Sequence, residues 1–308
     1  MGKELADASP AARAAYAAAD EALGWAVSGV CWNGPEERLN DTRQTQPCLV
    51  ATSLACLAAL REACFDAGTP LSPAFAAGHS VGEYAALAAA GVLSELDALR
   101  LASLRGSLMA EAGVGGGMVA VIGLDRRRIE ETIGAIAPIG SLIVANDNAP
   151  GQVVISGTSA TLAAAERPLR DAGAKRLIPL RVSGPFHSPA MAPVGEALER
   201  AFDTVAWSDA APPIVSNVTG EPVHEATRIR GLLARQVSSP VEWVASVERM
   251  VALGVDTFVE CGPGAALSGM VRRIAPQART LNVTDSATLH DTMAALQDAV
   301  HVPAPASA

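Results

Sequence analysis

A chain of 308 residues, half of them apolar, is long enough to bury the core of one large domain or two modest ones. Its formal net charge of −9 argues against a nucleic-acid surface, because phosphate binding needs clustered Lys and Arg side chains. Five cysteines without C-x-x-C spacing predict neither a disulfide framework nor a zinc site, and they favour the reduced cytoplasm.

The first predicted elements are two helices rich in alanine and leucine, at 10–24 and 45–66. The residues before them lack the apolar stretch of a secretory signal. No uninterrupted apolar run reaches the roughly 18 residues of a membrane span. We therefore expect the second helix to be buried in a core and the protein to have no membrane partner.

A short apolar run at 74–77 predicts a buried parallel strand, and a tight turn at 78–82 leads into a helix at 83–90. Ser94 is predicted to cap a helix that runs to about residue 112. Residues 113–117 contain four glycines and predict a hinge.

The region after the hinge has the predicted order strand, helix, strand, strand, helix, strand, which is the ferredoxin-like βαββαβ arrangement. The predicted bounds are 118–122, 126–137, 141–146, 152–156, 158–172 and 176–182.

Strands and helices alternate again after residue 185, and such alternation predicts a parallel sheet covered by helices on both faces. The predicted strands are 214–217, 257–260 and 280–283, and the predicted helices are 228–237, 241–253, 265–274 and 286–299. We therefore expect an α/β fold in which a ferredoxin-like subdomain, 116–184, is inserted into a parallel-sheet core formed by 1–115 and 185–300. Residues 301–308 are expected to be a disordered tail.

The segment Gly78-His79-Ser80-Val81-Gly82 fits G-x-S-x-G, the nucleophile elbow, and lies between a predicted strand and helix as that motif requires. A parallel-sheet core that carries a nucleophile elbow is α/β-hydrolase-like. Glycines are expected on both sides because a strained turn leaves little room for Cβ atoms. The turn would raise the Ser80 hydroxyl at the sheet edge, where the Val81 N–H can donate to a developing oxyanion. A plain glycine-serine loop is the alternative.

A serine hydroxyl needs a base, and the chain has five histidines. His79 adjoins the serine but is expected to point away from its hydroxyl, and three others lie in a turn, the last helix and the tail. His187, where the chain re-enters the core, remains as the base, with a structural role as the alternative. The acids between Ser80 and His187 lie mostly in the next helix or in the subdomain. We therefore expect a dyad in which a neutral acceptor holds the imidazole.

Arg105 lies in the middle of the apolar stripe of the helix that ends near residue 112. Arginine is seldom buried without an anionic partner. One interpretation is a snorkelling side chain or an internal ion pair. The other is a guanidinium that binds a substrate carboxylate through two parallel hydrogen bonds.

Six motifs together resemble, in order and spacing, the malonyl-CoA:acyl carrier protein transacylases of bacterial fatty acid synthesis: GHSVGEYAAL, LRGSLMAEAG, NDNAPGQVVISG, VSGPFHSPAM, RQVSSPVEW and ECGPG. The resemblance extends from residue 1 to about residue 299. It implies a ping-pong transfer of malonyl from malonyl-CoA to the phosphopantetheine thiol of acyl carrier protein. Ser80 would carry the malonyl ester, His187 would act as base and then as acid, and Arg105 would pair with the free carboxylate.

The resemblance also implies that the main-chain carbonyl of Gln236 orients the histidine. It further implies a substrate pocket. For the amide side chains of this pocket, ordinary hydrogen bonding within a loop is the alternative to binding the substrate. The implied pocket residues are Gln46, His79, Asn148, Gln152 and Phe186. Phe186 followed by His187 resembles the malonyl-selecting form of the family.

The family resemblance implies no metal and no cofactor beyond the two substrates. The protein is expected to be a monomer. Acyl carrier protein is acidic, and we expect a basic rim at 126–128 or at 272–273 to receive it.

The sequence departs from the family at its N-terminus. Members begin with a strand and a Gly-Gln-Gly turn that supplies a second oxyanion N–H, whereas residues 1–5 align with the segment just after that turn and no G-Q-G occurs. We expect either a start chosen too far downstream or a real truncation. Three alternative functions stay open: a serine esterase or thioesterase, a discrete acyltransferase serving a polyketide synthase, and an inactive, truncated member.

Overall fold

The computed structural model describes residues 1–69, 71–113, 115–138 and 140–301, which form a mixed α/β structure. The helices are α1 Lys3–Ala8, α2 Pro10–Leu23, α3 Val27–Asn33, α4 Glu36–Asn40, α5 Thr42–Asp66, α6 Gly82–Ala89, α7 Glu95–Ala112, α8 Arg126–Gly134, α9 Ser159–Asp171, α10 Ala192–Phe202, α11 Ala226–Gln236, α12 Trp243–Ala252, α13 Ala266–Ile274 and α14 Ser286–His301. The strands are β1 Ala76–Ala77, β2 Gly116–Ile122, β3 Leu142–Ala149, β4 Gln152–Thr158, β5 Arg176–Pro179, β6 Ile214–Val215, β7 Pro222–Val223, β8 Thr257–Cys261 and β9 Arg279–Val283. Of the predicted tail, residues 302–308 lie outside the described residues.

Helix ends follow the capping residues of the sequence. The Ser9 side chain accepts from the N–H of Ala12 at the start of α2, which ends at Gly24 with a φ of 69°. The Ser94 side chain accepts from the N–H of Asp97 at the start of α7, as predicted. These caps satisfy backbone groups that have no partner within the helix.

Helix α5 is the core helix of the larger part of the fold. It is the one helix among the described residues that is long and apolar enough to cross a membrane. However, twelve of its residues are buried, and it packs against α2, α6 and α7. The predicted burial of this helix is confirmed, and its hydropathy is accounted for by the protein core.

Strands β2 to β5 form a four-stranded antiparallel sheet in the order β3-β4-β2-β5, with α8 and α9 against it. A separate apolar cluster, which includes Ile129, Ile155 and Leu169, fills the space between these helices and the sheet. The predicted order of strand, helix, strand, strand, helix, strand is therefore observed.

The chain enters and leaves this sheet at one place. A Cβ on Gly113 would lie 2.5 Å from the Ser183 carbonyl oxygen, and one on Gly184 would lie 2.3 Å from the Cα of Gly113. The two connecting backbones therefore touch, and only glycine permits this approach. The predicted hinge at 113–117 is shorter than expected, because Gly116 and Gly117 already pair with β4 as part of β2.

The predicted single parallel sheet is wrong for the described strands, which lie in three separate sheets. β1 pairs in parallel with β6, to which β7 adds in antiparallel, and β8 pairs in parallel with β9 elsewhere. The two groups share apolar clusters. Phe75 and Ala77 pack on the same apolar cluster as Phe258, while Ala76 packs on the main cluster with Val259. No described strand pairs with both β1 and β8, so the two groups are not joined into one sheet.

Candidate active site

Ser80 lies on the sharp turn between β1 and α6, with a φ of 51°. Ser80 and His187, whose φ is 56°, are the two non-glycine residues with positive φ among the described residues. Such a backbone costs of order 1–3 kcal/mol and is held by its surroundings. The Asn217 side chain holds this turn: it accepts from the Ser80 N–H at 2.7 Å and donates to the Gly78 carbonyl at 2.7 Å.

The two glycines of the motif are not equivalent. A Cβ on Gly78 would lie 2.1 Å from the carbonyl carbon and oxygen of Gly82 and 2.5 Å from the nitrogen of Glu83. A Cβ on Gly82 would meet nothing within 4 Å. The expectation that both glycines are needed for space is therefore wrong for Gly82, because its Cβ direction at the start of α6 points into open space.

Gly78→Ala is expected to destabilise the fold by at least about 3 kcal/mol, because the new methyl group overlaps backbone atoms that cannot rotate away. Gly82→Ala is the matched control and is expected to change the free energy of unfolding by less than about 1 kcal/mol. Urea unfolding of both variants measures the difference. Equal losses of unfolding free energy in the two variants would show that the turn relaxes around the methyl group.

His187 contacts the serine directly: its Nε2 lies 2.7 Å from Ser80 Oγ. Its Nδ1 lies 3.0 Å from the carbonyl oxygen of Gln236 and 3.2 Å from that of Ser239. Carbonyl oxygens only accept, so the proton is on Nδ1, and Nε2 is left to accept the serine proton. Gln236 ends α11, and the negative end of that helix dipole favours a positive imidazolium.

The imidazole is held neutral before reaction. Burial lowers the pKa of His187 to about 3, and the positive charge of Arg105 acts in the same direction. At pH 7 the ring is therefore unprotonated and available as a base. The predicted arrangement of serine, histidine and a neutral acceptor is present in the described residues.

Arg105 is 1% exposed and lies beside the serine. Its Nη2 donates to Ser80 Oγ at 3.1 Å and to Gln236 Oε1 at 3.0 Å, and its Nη1 donates to Gln46 Oε1 at 2.6 Å. All these acceptors are uncharged, and its Nε has no partner among the described residues. The arrangement is therefore neither a snorkelling side chain nor a direct internal ion pair, and burial lowers the pKa of the guanidinium.

Gln236 and Glu83 form a buried polar layer behind these residues. Gln236 Nε2 donates to Glu83 Oε2 at 2.6 Å and to the Ser80 carbonyl at 2.9 Å. Glu83, in the first turn of α6, is 2% exposed. Burial raises the pKa of the Glu83 carboxyl to about 7, although the Gln236 hydrogen bond and the charge of Arg105 oppose the shift.

The raised pKa of Glu83 predicts a pH-dependent stability. The ordinary value is 4.5, so the folded chain holds the proton more tightly than the unfolded chain does. The resulting stabilisation is complete below pH 4.5 and is lost as the pH rises through about 7. Relative to Glu83→Gln, which does not titrate, the wild type should lose about 3 kcal/mol between pH 4.5 and pH 8. Urea unfolding at both pH values measures this loss; a constant difference would contradict it.

The other predicted residues lie around this centre. His79 is turned away from the serine hydroxyl: its Nε2 is 2.8 Å from Asn148 Oδ1, and its ring contacts Trp243 edge to face. Phe186 is buried in the main core beside His187. Val81 precedes the first residue of α6, where backbone N–H groups have no helical acceptor.

Gln152 is placed differently from the other pocket residues. Its Oε1 accepts from Arg273 Nη1 at 2.7 Å, and its side chain makes no hydrogen bond to the serine, the histidine or Arg105 in the described part of the chain. Its role in the pocket therefore stays a prediction.

Sequence reasoning missed two residues of this site, Glu83 and Asn217. Glu83 carried a signal, since it is the one charged residue in the otherwise apolar run from 81 to 90. Asn217 follows a short buried strand, and nothing local indicates that it reaches back across the sheet to the serine turn.

Comparison with known proteins gives consistent matches. Residues 1–299 match the acyl transferase domain family. The malonyl CoA-acyl carrier protein transacylase of Bacillus subtilis is 39% identical over 301 residues, which cover 97% of this chain and 93% of that protein. The enzyme of the same name from Haemophilus influenzae is 39% identical over 294 residues, which cover 94% of this chain and 92% of that protein.

Solved structures agree in fold. The acyl-carrier-protein S-malonyltransferase of Bartonella henselae has a TM-score of 0.91 at 36% identity and covers 96% of this chain and 95% of its own. A malonyl-transacylase in complex with its type II polyketide synthase acyl carrier protein has a TM-score of 0.90 at 37% identity and covers 96% of this chain and 94% of its own.

Proposed function

Because the chain belongs to the acyl transferase family, and its relatives are malonyl CoA-acyl carrier protein transacylases, we propose that it transfers malonyl from malonyl-CoA to acyl carrier protein through an ester on Ser80. The observation that carries the mechanism is the placement of Ser80 Oγ, 2.7 Å from His187 Nε2 and 3.1 Å from Arg105 Nη2. The reaction exchanges a thioester for an ester and back, and it needs no cofactor besides its two substrates.

In the first half-reaction, the Ser80 oxygen attacks the thioester carbon while its proton passes to His187 Nε2. The Val81 N–H donates to the oxyanion of the tetrahedral intermediate. The carbon–sulfur bond then breaks, and His187 returns the proton to the leaving CoA thiolate. In the second half-reaction, His187 takes the proton of the phosphopantetheine thiol, the sulfur attacks the malonyl ester, and Ser80 leaves with the proton.

In this proposal, Arg105 selects the acyl group. A buried guanidinium whose hydrogen bonds all go to neutral oxygens attracts an anion strongly, because little water screens it. The free carboxylate of malonyl supplies that charge. Fixing the acyl group at both ends also holds the reacting carbon near Ser80.

We further propose that the larger part of the fold, 1–115 and 185–300, is an α/β-hydrolase-like core and that 116–184 is a ferredoxin-like subdomain. The touching connections at Gly113 and Gly184 and the sheet order β3-β4-β2-β5 support this division. The free thiols of all five cysteines support a cytoplasmic location. We propose that the protein acts as a monomer.

We propose that acyl carrier protein docks at Arg272 and Arg273. Arg273 donates to Gln152 and to the carbonyl of Pro150, in the turn that follows Asn148. Acidic neighbours offset the charge of the other basic group: Arg126 pairs with Glu130, Asp147 and Glu242, and Arg127 and Arg128 both pair with Glu131.

Reversing the charges of Arg272 and Arg273 to glutamate is expected to raise the KM for acyl carrier protein roughly tenfold and to leave malonyl loading of Ser80 unchanged. The same reversal at Arg127 and Arg128 is the control. If the control raised this KM more, the docking surface would lie on α8 instead.

One alternative function keeps a specific observation in its favour. The solved relative with a type II polyketide synthase carrier protein shares 37% identity with this chain, so the carrier served could belong to a polyketide synthase. Comparing KM values for the two kinds of carrier protein separates these functions.

Intact-protein mass spectrometry tests the proposal. Wild-type protein incubated with malonyl-CoA should gain the mass of one malonyl group and release one CoA, and added phosphopantetheinylated carrier protein should then remove the group. Rapid hydrolysis without transfer would favour a thioesterase. A protein that never gains the mass would contradict the proposed function.

A further inference from the structure

Glu83 is a buried carboxylate that touches none of the reacting groups. Its Oε2 accepts from Gln236 Nε2 at 2.6 Å, and no ion pair within 4.0 Å joins it to a cation among the described residues. A buried carboxylate is costly unless hydrogen bonds compensate it. Its place in the first turn of α6 favours a negative charge, since this is the positive end of the helix dipole.

The Gln236 side chain lies between Glu83 and the active site. Its amide has two N–H donors, which meet Glu83 and the Ser80 carbonyl, and its Oε1 accepts from Arg105. The guanidinium of Arg105 can only donate and the Ser80 carbonyl can only accept, so the amide has one orientation that satisfies both, and in it Nε2 also meets Glu83. In that orientation, the oxygen of Gln236 is directed at the guanidinium.

We propose that Glu83 is a positioning residue that, through the Gln236 side chain, holds Arg105 where it receives the free carboxylate of the acyl group. The inference rests on the proposed function of Arg105. It assigns Gln236 a second role that is separate from its main-chain contact to His187. Loss of the Glu83 acceptor should therefore affect charged acyl groups more than uncharged ones.

The charges of the layer support this coupling. The negative charge of Glu83 raises the pKa of Arg105, and the positive charge of Arg105 lowers the pKa of Glu83, against the larger effect of burial on each. Each group thus favours the charged form of the other, although a neutral amide lies between them.

The test measures the rates at which Ser80 is loaded from malonyl-CoA and from acetyl-CoA. Glu83→Ala is expected to lower malonyl loading about tenfold and acetyl loading less than about threefold. Glu83→Gln keeps an acceptor for Gln236 and should restore malonyl loading to within about threefold of wild type. The control Glu260→Ala removes a carboxylate that accepts from the N–H groups of Leu267 and Ser268, and it should leave the malonyl-to-acetyl ratio unchanged.

A double-mutant cycle tests the route through Gln236. Gln236→Ala removes the side chain and keeps the main-chain carbonyl that contacts His187. If Glu83 acts through that side chain, adding Glu83→Ala to Gln236→Ala should lower malonyl loading by less than about twofold further. The proposal would be overturned if the double variant lost the product of the two single-variant factors. It would also be overturned if the variants lost malonyl and acetyl loading equally. A wild type that loads neither acyl group would instead overturn the proposed function.

Discussion

Replacing Ser80 by alanine is expected to abolish malonyl loading and to lower the rate of transfer by on the order of 10⁴-fold or more. The hydroxyl is the atom on which His187 and Arg105 converge, and the alanine variant keeps neither the nucleophile nor a hydrogen-bond partner for either. Because alanine occupies the space of serine, the fold should remain intact. Mass spectrometry after incubation with malonyl-CoA is the measurement.

Ser188→Ala is the matched control for that experiment. Its hydroxyl is buried and lies one residue from His187, but it donates to the Pro185 carbonyl and not to the active site. The control should gain one malonyl group as the wild type does. If the Ser80→Ala variant gained the same mass, the nucleophile would be a different residue.

Local chemistry predicted most elements from the sequence. Ser94 caps α7 and Gly24 ends α2 because capping depends on a few adjacent residues. Short helices were missed: α3 and α4 have seven and five residues, too few to show a helical period. Helix α10 was also missed, although Val194, Leu198 and Phe202 do repeat every four residues along one buried face.

Pairing across long sequence separations was harder to predict. The strands β1 and β8 were assigned near their observed positions, but nothing local shows whether two strands exchange hydrogen bonds. The same limit applies to Asn217, which lies 137 residues from the serine whose N–H it accepts. Arg105 was found because a cation on an apolar helix face is unusual in itself, and the identical argument applied to Glu83 would have found the layer behind it.

The strain of the site and its hydrogen bonds are linked. In the described part of the chain, the two non-glycine residues with positive φ are the two that meet at 2.7 Å. The backbone N–H of each is held: that of Ser80 donates to the Asn217 side chain, and that of His187 donates to the Val237 carbonyl. A relaxed backbone at either residue would separate the hydroxyl from the imidazole. The strain is therefore best understood as the cost of holding that contact.

Arg105→Met is expected to lower loading from malonyl-CoA roughly 100-fold, while loading from acetyl-CoA falls far less. Methionine fills much of the same volume without a charge, so the variant loses two charge-assisted hydrogen bonds to the substrate carboxylate, together worth about 3 kcal/mol. Acetyl has no carboxylate and never makes those bonds. The ratio of the two loading rates is therefore the measurement, because a general loss of packing lowers both rates alike.

Arg100→Met is the control, since Arg100 lies on the same helix with its side chain 56% exposed and paired with Asp97. It should leave the ratio unchanged. A loss of substrate recognition can also be told apart from a loss of stability. Without the guanidinium, the side-chain oxygens of Gln46 and Gln236 stay buried and each has one donor fewer. That loss costs stability whichever acyl group is offered. A variant that unfolds more easily but keeps its preference for malonyl would show that Arg105 holds the pocket together without recognising the substrate.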